Sequence, residues 1–202
     1  MKLKEATFSY SELSKMIDHS LLKPTLTNKE LEAGCKLAVK YKVASVCIMP
    51  FSLKLCTSIL NGSDVHPSTT IGFPHGGQTE QNKLAEAEEA LLNGCEELDM
   101  VINISQALSE NWSYVAAEIS HITDLVHQAK KKVKVIFENC YLNTVQKRQL
   151  CRICTDSGVD WVKTSTGFGT GGSTDEDLRL MVEETGPNIQ VKAAGGVRSL
   201  QR

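Results

Sequence analysis

Short apolar, strand-like runs recur along this chain at a spacing of roughly 25–35 residues, with helical patterns between most of them. The runs are Met16-Ile17-Asp18-His19, Ala44–Ile48, Thr70–Phe73, Glu97–Ile102 and Val133–Phe137, then two that begin at Trp161 and Ile189. Four helices are bounded by recognisable signals. Thr27-Asn28-Lys29-Glu30 is a capping box opening a helix through Tyr41. An Ala-, Glu- and Leu-rich stretch from Gln81 to Asn93 stops at Gly94, Asn143 caps a helix ending at Gly158, and Ser173-Thr174-Asp175-Glu176 opens a helix closed by Gly186. Such alternation predicts repeated βαβ units and a parallel sheet. No Gly-rich dinucleotide fingerprint follows the first strand, which favours a (β/α)8 TIM barrel over a Rossmann sheet.

The length of 202 residues suits one domain with a sizeable core. Hydrophobic content of 41%, charged content of 23% and a net charge of -2 exclude general nucleic-acid or membrane affinity. Lys130-Lys131-Lys132 reads as a solvated helix end. The charged start, Met1-Lys2-Leu3-Lys4-Glu5, lacks an apolar signal core, and no run is long enough to span a bilayer. The 7 cysteines suit reduced thiols in a cytoplasmic protein, and Cys151-Arg152-Ile153-Cys154 reads as helical packing rather than a redox or zinc motif.

Two strand runs each contain a lysine and lead into glycines: Trp161-Val162-Lys163-Thr164-Ser165, and Gln190-Val191-Lys192-Ala193-Ala194. Burial and a neighbouring ammonium both favour the neutral amine, which can attack a carbonyl and form a Schiff base. A like charge roughly 6 Å away costs about 3 kcal/mol at an effective dielectric of about 20, or about two pKa units. Desolvation must supply the rest, which a closed barrel can do and an exposed strand edge cannot. Strand alternation places Lys163 and Lys192 inward, with Asp18, Asp99 and Glu138 on the same inner parity. The expected inward ring is Asp18, Asp99, Glu138, Lys163 and Lys192, at the face where barrel enzymes place catalysis. Internal salt bridges are the plainer alternative, although buried ion pairs stabilise poorly against apolar packing.

At these residues the chain resembles deoxyribose-phosphate aldolase, a class I (Schiff-base) aldolase family. The matching segments are Ile17–Leu22, Val46-Cys47-Ile48, Ile71–Gly76, Glu97–Asn103, Val162–Phe168 and Val191–Arg198. The resemblance implies cleavage of 2-deoxy-D-ribose 5-phosphate to acetaldehyde and D-glyceraldehyde 3-phosphate, with no cofactor and no metal. It implies that Lys163 is the Schiff-base lysine, Lys192 the activating lysine, and Asp99 a partner of water and Lys192 in proton transfer. Asp18 and Cys47 fall on the substrate side, and Gly167, Gly195 and Gly196 on the phosphate side, where backbone N–H groups make anion nests. Simple turn formation by those glycines and plain packing of Cys47 remain alternatives, and His75 reads as structural. The implied partners are a small sugar phosphate and acetaldehyde, with no nucleic acid and no membrane.

The family continues past Gly196-Val197-Arg198 with an eighth βα unit, whereas this chain stops at Ser199-Leu200-Gln201-Arg202. The expectation is a single barrel domain over residues 1–202, truncated at its C-terminus, with open edge strands that invite pairing into a homo-oligomer. The alternatives to the leading reading are a Schiff-base aldolase for another sugar phosphate and an inactive, ligand-binding barrel.

Overall fold

The computed structural model describes residues 7–197. The chain start, Arg198 and Ser199–Arg202 lie outside the described residues. The chain forms two compact units. One comprises the chain up to Thr69 with Asn93–Glu96, and the other comprises Thr70–Leu92 with the chain from Glu97 on.

The first unit opens with helix α1 (Tyr10–Ser14), held by a Ser9/Glu12 capping box. Strand β1 (Asp18–Leu21) leads to helix α2 (Asn28–Tyr41), whose Thr27/Glu30 capping box is the one read from the sequence. The wholly buried β2 (Ser45–Ile48), helix α3 (Leu53–Leu60) and β3 (His66–Ile71) follow. β1 with β2, and β2 with β3, pair in parallel. Gly34 lets α2 seat closely on β1, since a Cβ there would lie 2.5 Å from a Leu21 methyl. Leu31, Cys35, Val46, Ile48, Leu53 and Cys56 form the buried apolar centre.

The second unit contains α4 (Glu80–Leu92), β4 (Glu97–Val101), α5 (Ile104–Leu108), α6 (Trp112–Gln128), β5 (Lys132–Ile136), α7 (Thr144–Asp156), β6 (Trp161–Lys163), α8 (Asp175–Glu184) and β7 (Gln190–Lys192). β4 to β7 pair in chain order, all parallel. Leu98, Met100, Val133, Val135 and Val162 are buried on one parity, and Ile119, Ile122, Val126, Leu150, Cys154 and Met181 are buried on the helices. The strand order is β1-β2-β3 in the first unit and β4-β5-β6-β7 in the second.

Several boundaries differ from expectation for physical reasons. Met16 and Ile17 are exposed and precede β1, so the first strand starts at Asp18. β3 begins at His66 rather than Thr70, and ends before Gly72, whose φ of +63° turns the chain out of the sheet. The seventh strand starts at Gln190 rather than Ile189. Thr174, not Ser173, caps α8, accepting from the Asp177 N–H at 3.1 Å. The Ser173 N–H donates instead to the carbonyls of Ala194 and Gly195. Gly186 is not a left-handed cap; a Cβ there would lie 2.8 Å from the Thr155 methyl of α7. Ser52 and Asn111 stand at the N-caps of α3 and α6, but neither side chain makes the capping hydrogen bond. All 7 cysteines are free thiols, and no helix among the described residues is long and apolar enough to cross a membrane.

Candidate active site

The charged cluster in the second unit follows from strand register. Asp99 pairs with Lys134, and Lys134 with Trp161; one row on, Ile136 pairs with Lys163, and Lys163 with Lys192. Register partners and alternate residues in a parallel sheet project to one face. Asp99, Lys134, Lys163 and Lys192 therefore share a face, opposite the helix-packed parity of Leu98, Met100 and Val162.

Asp99 is fully buried and grips two lysines. Its Oδ2 accepts from Lys163 Nζ at 2.5 Å, and its Oδ1 accepts from Lys134 Nζ at 3.1 Å. Lys134 also donates to Glu97 and lies 5.1 Å from the Trp161 ring centroid. The indole is oriented by its Nε1 donation to Gln190 Oε1 at 3.2 Å. Two carboxylates thus face two ammonium groups, a balanced set that limits the cost of burying charge. Burial alone would push the Asp99 carboxyl up, but the ammonium groups of Lys134 and Lys163 override it and hold the carboxyl at about 2. Asp99 is therefore ionised at neutral pH.

Lys163 ends β6 and is only 8% exposed. Lys192 ends β7 directly beside it and is half-buried. The loops beyond these two strands are tied together. Thr164 Oγ1 donates to the Ala194 carbonyl at 3.0 Å and accepts from the Ala194 N–H at 3.0 Å. Gly172 and Gly195 meet backbone to backbone, and a Cβ on Gly172 would sit 2.3 Å from the Gly195 carbonyl oxygen. Gly167, Gly195 and Gly196 all have positive φ, so these loops need glycine for their conformation.

Glu138 departs from the expected ring. It lies past the end of β5 in a left-handed conformation, and its carboxylate accepts from the N–H and hydroxyl of Thr166. Its visible work is to anchor the loop after β6. Asp18 and Cys47 belong to the first unit, on one face of the β1–β2 pair, with Cys47 buried and Asp18 half-buried. His75 is exposed in the loop after β3. Sequence reasoning missed Lys134, although Val133-Lys134-Val135 repeats the lysine-in-strand pattern that singled out Lys163 and Lys192. Gly172 lies in the glycine-rich run Phe168–Gly172, and nothing in the sequence marks its approach to Gly195.

A buried amine in contact with a carboxylate, beside a second lysine and glycine-bound loops, is equipped to form an imine and move protons near it. No group of His, Cys, Asp or Glu among the described residues is arranged to hold a metal ion.

Residues 13–202 match the family described as DeoC/LacD family aldolase. A deoxyribose-phosphate aldolase of Rhodopirellula baltica is 61% identical over 195 residues, covering 96% of this chain and 81% of the relative. One from Clostridium perfringens is 44% identical over 190 residues, covering 94% and 84%. Among solved structures, the aldolase QR15 superposes with a TM-score of 0.89 at 36% identity, covering 94% of this chain and 84% of its own. The tetrameric deoxyribose phosphate aldolase of Aeropyrum pernix superposes with a TM-score of 0.86 at 30% identity, covering 95% and 80%. The fold is that of the (β/α)8 barrel aldolases, of which the described residues supply seven strands. This chain belongs to the DeoC/LacD family of aldolases.

Proposed function

We propose that this chain cleaves 2-deoxy-D-ribose 5-phosphate to D-glyceraldehyde 3-phosphate and acetaldehyde through a Schiff base on Lys163. The observation that carries the reading is the buried contact between Lys163 and Asp99, with Lys192 in register alongside. The names of the relatives described above support the substrate.

The neutral Lys163 amine adds to the C1 aldehyde of the open-chain sugar, and loss of water leaves an iminium. A base takes the proton of the 3-hydroxyl, the C2–C3 bond breaks, and its electron pair flows into the iminium. D-Glyceraldehyde 3-phosphate leaves, and the remaining enamine takes a proton at C2. Hydrolysis then frees acetaldehyde and the lysine. Asp99, ionised down to about pH 2, is a poor resting acid. Its role is to orient Lys163 and accept hydrogen bonds, while the mobile proton passes through water and Lys192. The N–H groups of the loops after β6 and β7, at Gly167, Gly195 and Gly196, receive the phosphate. Asp18 and Cys47 contribute to the substrate side, as the family resemblance implies.

The free thiols support a reducing, cytoplasmic setting. The tetrameric Aeropyrum pernix relative supports self-association. Borohydride reduction in the presence of acetaldehyde, followed by peptide mass analysis, tests the central step. The expected adduct is on Lys163. Adduct on Lys192 alone reverses the two lysines, and no adduct removes imine chemistry. Deoxyribose 5-phosphate bound without turnover marks an inactive barrel, and a preference for dihydroxyacetone or pyruvate as donor marks a different aldolase.

A further inference from the structure

Outside the lysine cluster, the second unit contains another buried ion pair that the reaction does not use. Lys83 of α4 is fully buried, and its Nζ lies 2.8 Å from Glu118 Oε1 of α6, also fully buried. Replacing such a pair by apolar side chains is commonly neutral or stabilising, so stability alone is a weak reason to have it. Burial pushes the Lys83 amine down and the Glu118 carboxyl up, so the site works against its own charges. The other charged groups acting on the pair are Glu86 and Glu80 of α4. Glu80 in turn contacts His121 of α6 at 2.5 Å.

What the pair holds is backbone. Lys83 Nζ donates to the Val101 carbonyl at 2.7 Å, and Glu118 Oε2 accepts from the Asn103 N–H at 3.0 Å. Glu86, one turn on from Lys83, accepts from the Gly72 N–H at 2.6 Å. These groups stand at the C-terminal ends of β3 and β4, where the ladders stop and backbone groups need other partners. The fit is close. A Cβ on Gly72 would lie 2.6 Å from Lys83 Cε, and a Cβ on Gly76 would lie 1.8 Å from the Ile102 carbonyl oxygen. The same loop carries Phe73, whose ring meets Phe168 of the loop after β6 edge to face at 5.4 Å. Val101 is two residues beyond Asp99 on the same face of β4.

We infer that Lys83 and Glu118 are positioning residues for the aldolase reaction, fixing the end of β4 and the loop after β3 so that the Asp99 carboxylate reaches the Lys163 amine. The inference rests on the imine reading given above. Small misplacements of reacting groups are costly: a shift of about 1 Å can cost on the order of 100-fold in rate. An apolar pair at the same place would fill the space but release Val101 and Asn103.

The test uses the full chain and two variants. Lys83→Met/Glu118→Gln removes both charges at similar volume, and Lys83→Arg keeps the charge but moves the donors. Thermal unfolding establishes that each is folded. Turnover of deoxyribose 5-phosphate and the pH midpoint of acetaldehyde trapping at Lys163 are then measured. Both variants should lose about 10- to 100-fold in kcat with KM within about twofold, and the midpoint should move. A purely structural pair would lower the unfolding temperature and leave the midpoint in place. Should the double variant fail to fold, Lys83→Arg alone decides. An adduct on Lys163 in the wild type, with kcat and midpoint unchanged in the folded variants, overturns the inference alone. A wild type with no adduct on Lys163 overturns the imine reading, and the inference with it.

Discussion

Lys134 is the side chain whose removal tests the electrostatics of the site most directly. It and Lys163 hold opposite oxygens of the same Asp99 carboxylate, at 3.1 and 2.5 Å. For two ammonium groups roughly 6 Å apart, like charges at an effective dielectric of about 20 repel by about 3 kcal/mol, or about two pKa units. In Lys134→Met this repulsion is gone and Asp99 is left wholly to Lys163. Both changes favour the charged form of Lys163, which cannot attack a carbonyl. Acetaldehyde trapping at pH 7 should fall on the order of 100-fold and return as the pH is raised by about two units. The single change also leaves Glu97 and Asp99 with one fewer buried partner, a loss of about 3–5 kcal/mol. The assay is therefore run in parallel on Lys134→Met/Glu97→Gln, which restores charge balance with a smaller midpoint shift of about one unit. Borohydride trapping across pH 6 to 10, with circular dichroism to establish folding, gives the midpoint. A folded variant with the wild-type midpoint refutes the reasoning.

Lys192→Leu removes the in-register neighbour of Lys163 and should slow imine formation about 100-fold near pH 7, with partial recovery at higher pH; a flat response removes its electrostatic role. Asp99→Asn should reduce turnover more than trapping, and an unchanged turnover number takes Asp99 out of the mechanism. Asp99 also stabilises the fold in a pH-dependent way. Its folded value of about 2 lies below the unfolded one, so its contribution is fully present above about pH 4 and is lost as the pH falls toward 2. Acid titration of unfolding should have a shallower slope between those limits in Asp99→Asn. Gly172→Ala would drive a methyl into the Gly195 carbonyl at 2.3 Å and part the loops after β6 and β7. The expected outcome is at least a tenfold loss of affinity for deoxyribose 5-phosphate, about 1.4 kcal/mol, with trapping of free acetaldehyde little changed; equal losses in both would place the loops in the imine chemistry itself.

The seven strand runs, the Thr27 and Asn143 caps and the pairing of Lys163 with Lys192 were legible in the sequence. Alternation by two fixes which side chains share a face, and periodicity fixes where helices intervene. Charge was harder to read. Lys132 and Lys134 are the same residue type, two apart on one face of β5, yet Lys132 is exposed and Lys134 is buried. Their difference is depth along the sheet, which depends on stagger between strands and has no local signature. Lys83 sits in an Ala- and Glu-rich helix that reads as a solvated surface, and only the packing of α4 against α6 buries it. The Gly172–Gly195 approach brings together two loops that are distant in sequence. The sequence by itself determined which strands and which reactive side chains exist. The tertiary structure alone decided which charges meet, because burial and ion pairing depend on distances between elements rather than on order along the chain.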